Sequence, residues 1–318
     1  MPPGRPAIYA AQASFPHTVP SVTTLALITD ATSLDDDYDM PPLRDACQAL
    51  ALDVRICNWD DPDQDWSRFS HVVLRSPWDY TRRPDAFLDW CAHVSKVSRL
   101  VNPLSAVRWS LDKHYLADLA RAGVAVIPST FIESKASAQT MLDAFLQAHP
   151  GLDELVVKPT VGASSRNVRR FLRADAMQAL QHAETLLGAG HSVILQPYLA
   201  SIERQGETDL VYINGIYSHA IRKAALLARD GTTNAPTLGF LSACEATATE
   251  RALASAALQA ASRTLGLDAP LLYARVDLIH ADDGQPQLLE LEILEPSLSF
   301  PLAEGSAMRF AQALAGLE

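Results

Sequence analysis

The feature that most restricts what this chain can fold into is the stretch 288–297, LLELEILEPS. It is rich in Leu and Ile, as a buried strand is, yet it carries Glu290 and Glu292, with Glu295 in the bend that follows. Side chains two apart on a strand share a face, so the first two acids project together. Like charges that close repel, and burying them unpaired costs several kcal/mol. Something cationic has to sit with them.

The rest of the chain narrows what that cation serves. Its 318 residues suffice for two domains or one multi-lobed one, with 48% hydrophobic and 20% charged residues, an ordinary globular balance. A net charge of −11 argues against nucleic acid or an anionic membrane as the main partner. Small anions stay open, because a few local lysines and arginines can bind a phosphate. Cys47, Cys57, Cys91 and Cys244 show no paired-ligand spacing, so we read them as reduced thiols of a cytoplasmic protein. No apolar run reaches the roughly 18 residues that span a bilayer. Residues 1–20 are proline-rich and lack a signal-peptide pattern; a flexible leader is expected there.

From residue 21 to about 105, apolar runs alternate with helical patterns: VTTLALITD, PPLRDACQALAL, DVRICNW, HVVLRSPWDY, RPDAFLDWCAHVSKV and RLVNP. Such alternation predicts a parallel α/β lobe, with functional groups at the carboxyl ends of its strands. Those ends carry Asp30, Asp37 and Tyr38, then Arg75, Trp78, Asp79 and Tyr80. The second group is our substrate-binding candidate; the alternative is that these residues only cap the sheet and a turn. Beyond residue 106 the style becomes α+β and mostly antiparallel. A helix expected from residue 105 breaks at Gly123, YINGIY marks a hairpin, and a second hairpin turns at Asp-Asp-Gly.

Three groups in this second part share one logic. Lys158 ends a Val-rich strand and is followed by Gly162, Ala163, Ser164 and Ser165, small residues whose N–H groups can approach a phosphate. The order, lysine before glycine, is not that of a Walker A loop. Gln196, Pro197, Tyr198 and Leu199 end another strand in a bend able to face a base, and Glu207 follows at the start of a hairpin. Finally, the turn near residues 282–285 folds Asp277 back against Glu290 and Glu292. Three converging carboxylates suit a hard divalent cation. Arg275 shares the face of Asp277, able to meet phosphoryl charge. Arg222 and Lys223 offer one more cation between them, since strand neighbours face opposite ways; we assign it to Arg222. A purely structural salt-bridge cluster is the competing reading.

Taken in order, LDKHYL, VVKPTVGASSRNV, ILQPYL, GETDLVYINGIYSHAIRK, YARVDLI and LLELEILEPSL resemble the ATP-grasp superfamily over about 105–302. The resemblance implies an N-terminal α/β lobe on the substrate side (21–105), a central lid subdomain with a linker helix (106–195) and a C-terminal subdomain with the nucleotide and metal (196–318). It implies ATP and two Mg²⁺, with Lys113 and Lys158 on the phosphates and the 162–167 loop as a lid. It makes Gln196–Leu199 the adenine hinge and Glu207 the ribose acid. Asp277, Glu290 and Glu292 would bind Mg²⁺, although many members have Asn where Glu292 stands. Arg275, Lys158 and Arg222 would serve catalysis.

The implied activity is ATP-dependent ligation of a small carboxylate to an amine through an acyl phosphate, releasing ADP and phosphate. Within the superfamily the chain is most similar to glutathione-synthetase-like and ribosomal-modification-like ligases. More narrowly, LRSPWDY with ELEILEPSL is similar to the O-ureidoserine cyclo-ligases, in which the ligation closes a ring. Glu295 and Ser297 join residues 75–80 as substrate candidates by position. A homodimer through the first lobe is a further expectation. The alternatives are a nucleotide-binding regulatory protein without turnover, and a kinase on the same fold.

Overall fold

The computed structural model describes residues 24–229, 232–234 and 237–317; the leader expected over residues 1–20 lies outside them. Four parallel strands open the chain, β1 (Thr24–Thr29), β2 (Asp53–Asn58), β3 (His71–Ser76) and β4 (Arg99–Val101), ordered β2-β1-β3-β4. Two helices cover the sheet, α1 (Met40–Ala49) and α2 (Pro84–Val97), each with proline in its first turn, where a missing N–H loses nothing. Under α2 lies an aromatic core of Trp59, Trp66, Tyr80 and Phe87.

The helix expected from residue 105 is two helices, α3 (Leu104–Ser110) and α4 (Tyr115–Arg121). Asp112 causes the break. Its Oδ1 accepts the His114 N–H at 3.0 Å and its Oδ2 the Thr160 hydroxyl at 3.1 Å, while Lys113 N–H donates to Thr160 O at 2.9 Å. An Asx turn thus competes with the helix and leaves Lys113 pointing out of it.

The central sheet is antiparallel, ordered β5-β8-β6-β7 from β5 (Thr130–Ile132), β6 (Glu154–Pro159), β7 (Arg169–Leu172) and β8 (Val193–Pro197). It runs through Pro197, past the boundary expected at residue 195. Helices α5 (Lys135–Ala148) and α6 (Ala176–Gly188) pack on it around Leu142, Phe145, Leu180 and Leu186.

After the short α7 (Ile202–Gln205), five antiparallel strands form the last sheet, ordered β11-β10-β9-β12-β13. They are β9 (Glu207–Ile213), β10 (Ile216–Lys223), β11 (Leu241–Cys244), β12 (Tyr273–His280) and β13 (Pro286–Glu292). The β9–β10 turn puts Asn214 and Gly215 at φ of 50° and 74°, the left-handed pair that a tight hairpin requires. Helix α8 (Ala248–Leu265) begins with a Thr247–Glu250 capping box and presses Ala254, Ala257 and Ala261 onto one sheet face. The opposite face is divided. Val211, Ile213 and Tyr273 pack against α1 and α9 (Ser306–Ala315) of the first lobe. The other half holds charged side chains.

One buried carboxylate fastens the lobes together. Asp39, fully buried beside α1, accepts the N–H groups of Leu298, Ser299 and Phe300 at 2.5, 3.1 and 2.6 Å. Arg75 lies 3.9 Å from it and donates to Pro296 O at 3.1 Å, its guanidinium over Tyr273 and Phe310. Asp39→Ala would leave three buried N–H groups without their acceptor and a buried guanidinium without its counter-ion, so we expect a loss of about 3–5 kcal/mol in urea unfolding.

Candidate active site

Strand alternation sends Glu207 and Asp209 of β9, Lys223 of β10, Arg275 and Asp277 of β12, and Glu290 and Glu292 of β13 to one face. The register sets Asp277 opposite both Asp209 and Glu290, Arg275 opposite Glu292, and Lys223 opposite Glu207. The question of what sits with the acids has a direct answer, because each meets a cation, most of them from another strand or lobe. Lys158 Nζ is 2.6 Å from Glu290 Oε1, and Lys113 Nζ is 3.8 Å from its Oε2. Arg275 grips Asp277 at 2.8 and 2.9 Å and Glu292 at 2.5 Å. Lys223 lies 2.5 Å from Glu207 and 3.1 Å from Asp209.

These contacts set the protonation of the site. Burial would raise the Glu290 carboxyl, yet Lys113 and Lys158 hold it at about 2. Burial pushes Glu292 up to about 8; Arg275 opposes this, while Asp277, Glu295 and Glu290 add to it. Lys223 goes the other way: burial acts to lower it, but Asp209, Glu207 and Asp277 keep it well above its usual range.

The face forms one wall of a cavity of about 900 Å³. Lys113, Lys158, the loop 162–166 and the bend Gln196–Leu199 close a second side, and Tyr38, Trp78, Tyr80, Glu295 and Ser297 a third. Lys113 Nζ also donates to Gly162 O at 3.1 Å, joining the helix break to the small-residue loop. Ser164 and Ser165 both sit at φ 54°, a region that costs a non-glycine residue about 1–2 kcal/mol. In the bend, Tyr198 N–H donates to Glu154 O at 2.9 Å, and the Tyr198 ring stacks at 3.5 Å on the Arg170 guanidinium.

Several expected site residues stand elsewhere. Arg222 is on the α8 side of its sheet and donates to Gln205 O at 2.8 Å; alternation gives its place to Lys223. Arg75 does not line the cavity but is 1% exposed and ties Pro296 in place. Asp79 accepts the Trp59 indole N–H at 2.7 Å and pairs with Arg83 at 2.5 Å, a turn-holding role. The expected metal trio is not assembled as such, because Lys158 holds Glu290 and Arg275 holds Glu292. Among the described residues, the acids whose oxygens lie within 4.8 Å of one another are Glu207, Asp209 and Asp277. Glu207, expected on a ribose, faces Lys223 within this set.

Other site residues escaped the sequence reading. Asp209 was hidden inside TDLVY, although its place two residues after Glu207 puts it on the same face. Arg166 leaves the loop to donate to Trp78 O at 2.7 Å and the Thr81 hydroxyl at 2.8 Å, a contact between lobes that no local pattern announces.

Cycloserine biosynthesis protein DcsG of Streptomyces lavendulae is 51% identical over 291 residues, covering 92% of this chain and 97% of the relative. The chain belongs to the DcsG family of ATP-grasp ligases. Residues 25–102 match the family described as the N-terminal domain of D-cycloserine synthetase DcsG. The crystal structure of that synthetase matches this DcsG-family chain with a TM-score of 0.89 and 51% identity, over 92% of this chain and 98% of its own. D-alanyl-alanine synthetase A from Vibrio cholerae, at 15% identity, shares the fold with a TM-score of 0.65 over 92% of this chain and 96% of its own. Like its family, the protein is an ATP-dependent ligase that forms carbon–nitrogen bonds. Among the described residues no helix is long and apolar enough to cross a membrane.

Replacing the cation on each side of β10 separates the two faces. Lys223→Ala should lower kcat by about 100-fold or more, whereas Arg222→Ala should stay within about threefold of wild type. Steady-state ADP release measures both.

Proposed function

We propose that this enzyme activates the carboxylate of a small amino acid with ATP and closes a ring amide on the same molecule, with O-ureidoserine as the substrate class. One observation carries the reading: a single cavity unites a cation-rich wall able to hold a triphosphate with a wall of Tyr38, Trp78, Tyr80 and Glu295 that offers aromatic and acidic contacts to an amino acid. The similarity to a D-cycloserine synthetase supports the ring-closing form. Buried thiols at Cys47, Cys57 and Cys91 suit the cytoplasm, where ATP is plentiful.

The residues fit Mg²⁺. Their donors are carboxylate oxygens, as a hard cation requires, and Asp209 Oδ1 is buried without a hydrogen-bond partner. Asp277, Glu290 and Glu292 would hold Mg²⁺, two ions in our reading, with Asp209 beside them. Mg²⁺ would supply Lewis-acid neutralisation of the phosphates. Lys158 and Arg275, now engaged with Glu290 and Glu292, are the groups a triphosphate attracts, and turning to it they free those acids.

Lys113 and Lys158 then orient the β- and γ-phosphates while Arg275 faces the transferred group. A substrate carboxylate oxygen attacks the γ-phosphorus and the bond to ADP breaks. The nitrogen attacks the acyl carbon and loses its proton as phosphate departs. Arg166, by tying the 162–166 loop to Trp78 and Thr81, keeps water from the acyl phosphate.

Incubation with ATP, Mg²⁺ and O-ureidoserine should yield ADP and a ring product, and chelation of Mg²⁺ should abolish it. Hydroxylamine should divert the reaction to a hydroxamate. AMP in place of ADP, or a stable phosphorylated product, would overturn the mechanism. Glu290→Gln should lower turnover by about 100-fold or more with the fold intact by circular dichroism. Arg166→Ala should raise the ADP released per ring closed, since an unlatched loop admits water; a ratio equal to wild type would count against its lid role.

A further inference from the structure

Glu295 differs from the carboxylates of the charged sheet face, and from the exposed Asp35 and Asp36 at the cavity in being buried. Glu207, Asp209, Asp277, Glu290 and Glu292 each have a lysine or arginine of this chain in an ion pair. Among the described residues Glu295 has none, although it is only 7% exposed and lines the cavity. The buried Tyr80 hydroxyl lies beside it. Lys113, Arg275 and Arg75 act on it only from beyond ion-pairing range, and Arg82, another cation on this wall, is exposed.

The carboxylate is also prevented from turning away to water. Three successive carbonyls are held: Glu295 O by the Trp78 indole N–H at 3.3 Å, Pro296 O by Arg75 at 3.1 Å and Ser297 O by Arg275 at 2.9 Å. Asp39 fixes the next three N–H groups. A buried carboxylate held this firmly, with one hydroxyl for company, keeps lone pairs free toward the cavity. Leaving it without a counter-ion is unfavourable, and a ligand bearing N⁺–H donors relieves that with short, charge-assisted hydrogen bonds.

We propose that Glu295, steadied by Tyr80, receives the protonated α-amino group of the substrate and so makes the enzyme selective for free amino acids over N-acylated or peptide-linked ones. The inference rests on the amino-acid ligase reading above and names the group that reading leaves open. An acylated nitrogen brings no charge and one donor at most, and would leave Glu295 buried without a counter-ion. Rejection therefore comes from an unpaired group as much as from a lost contact.

The test compares O-ureidoserine with its N-acetyl derivative, following ADP release with wild type, Glu295→Gln and Tyr80→Phe, and ATP affinity by calorimetry. Wild type should prefer the free amine by about 100-fold or more in kcat/KM. In Glu295→Gln the KM for O-ureidoserine should rise by a similar factor, the preference should shrink to within about threefold, and ATP affinity should hold. Tyr80→Phe, which keeps the charge but loosens it, should raise KM several-fold. Equal use of both compounds by wild type, or an undiminished preference in Glu295→Gln, overturns the assignment. Absence of ADP from wild type with O-ureidoserine sinks the substrate reading beneath it as well, without recourse to the variants.

Discussion

Glu207, Asp209, Asp277, Glu290 and Glu292 can share one sheet face because cations arrive from three directions. Arg275 and Lys223 come from within the sheet, Lys158 from the central lobe and Lys113 from the break between α3 and α4. The acids therefore do more than await a metal. They hold the central lobe against the C-terminal one through Lys158–Glu290, and they keep cations concentrated where a triphosphate would need them. On the proposed reading, binding a nucleotide with its metal would be an exchange of partners among charges already desolvated, with little reorganisation asked of the site.

The same economy shows at the third wall. Residues 295–300 are fastened almost wholly through their backbone, by Trp78, Arg75, Arg275 and Asp39. Backbone fastening frees the side chains of Glu295 and Ser297 to face the cavity. It also ties this wall of the cavity to both the first lobe and Arg275 of the charged sheet face, so that the two walls share one frame.

Much of this was legible in the sequence, for identifiable reasons. Elements with a strong period or a local turn code, such as the Asn214–Gly215 hairpin and the capped α8, can be read where they stand. The shared face of Arg275 and Asp277, and of Glu290 and Glu292, follows from the two-residue period of a strand. What was not legible depended on partners distant in the chain. Alternation left Arg222 and Lys223 equivalent until the pairing of Lys223 with Glu207 showed which faces the acids. Asp79 and Arg75, beside Trp78 at a strand end, read as substrate contacts because nothing local reveals that Trp59 and Pro296 claim them. The helix interruption at Lys113 depends on Thr160, which comes 48 residues after Asp112.

Helix α9 completes the first lobe from beyond the two later sheets in sequence. Phe310, Ala311 and Leu314 share a core with Leu25, Leu27, Leu43 and Val73, so the face of the opening sheet that α1 begins to cover stays incompletely packed until α9 has been made. On the ribosome the strands of this lobe emerge before the two later sheets, and α9 emerges after them. Part of the strands' apolar surface must wait for α9 while the two later sheets form. The nascent chain thus has a window in which a chaperone, or a neighbouring copy, can reach a surface that the finished enzyme never shows.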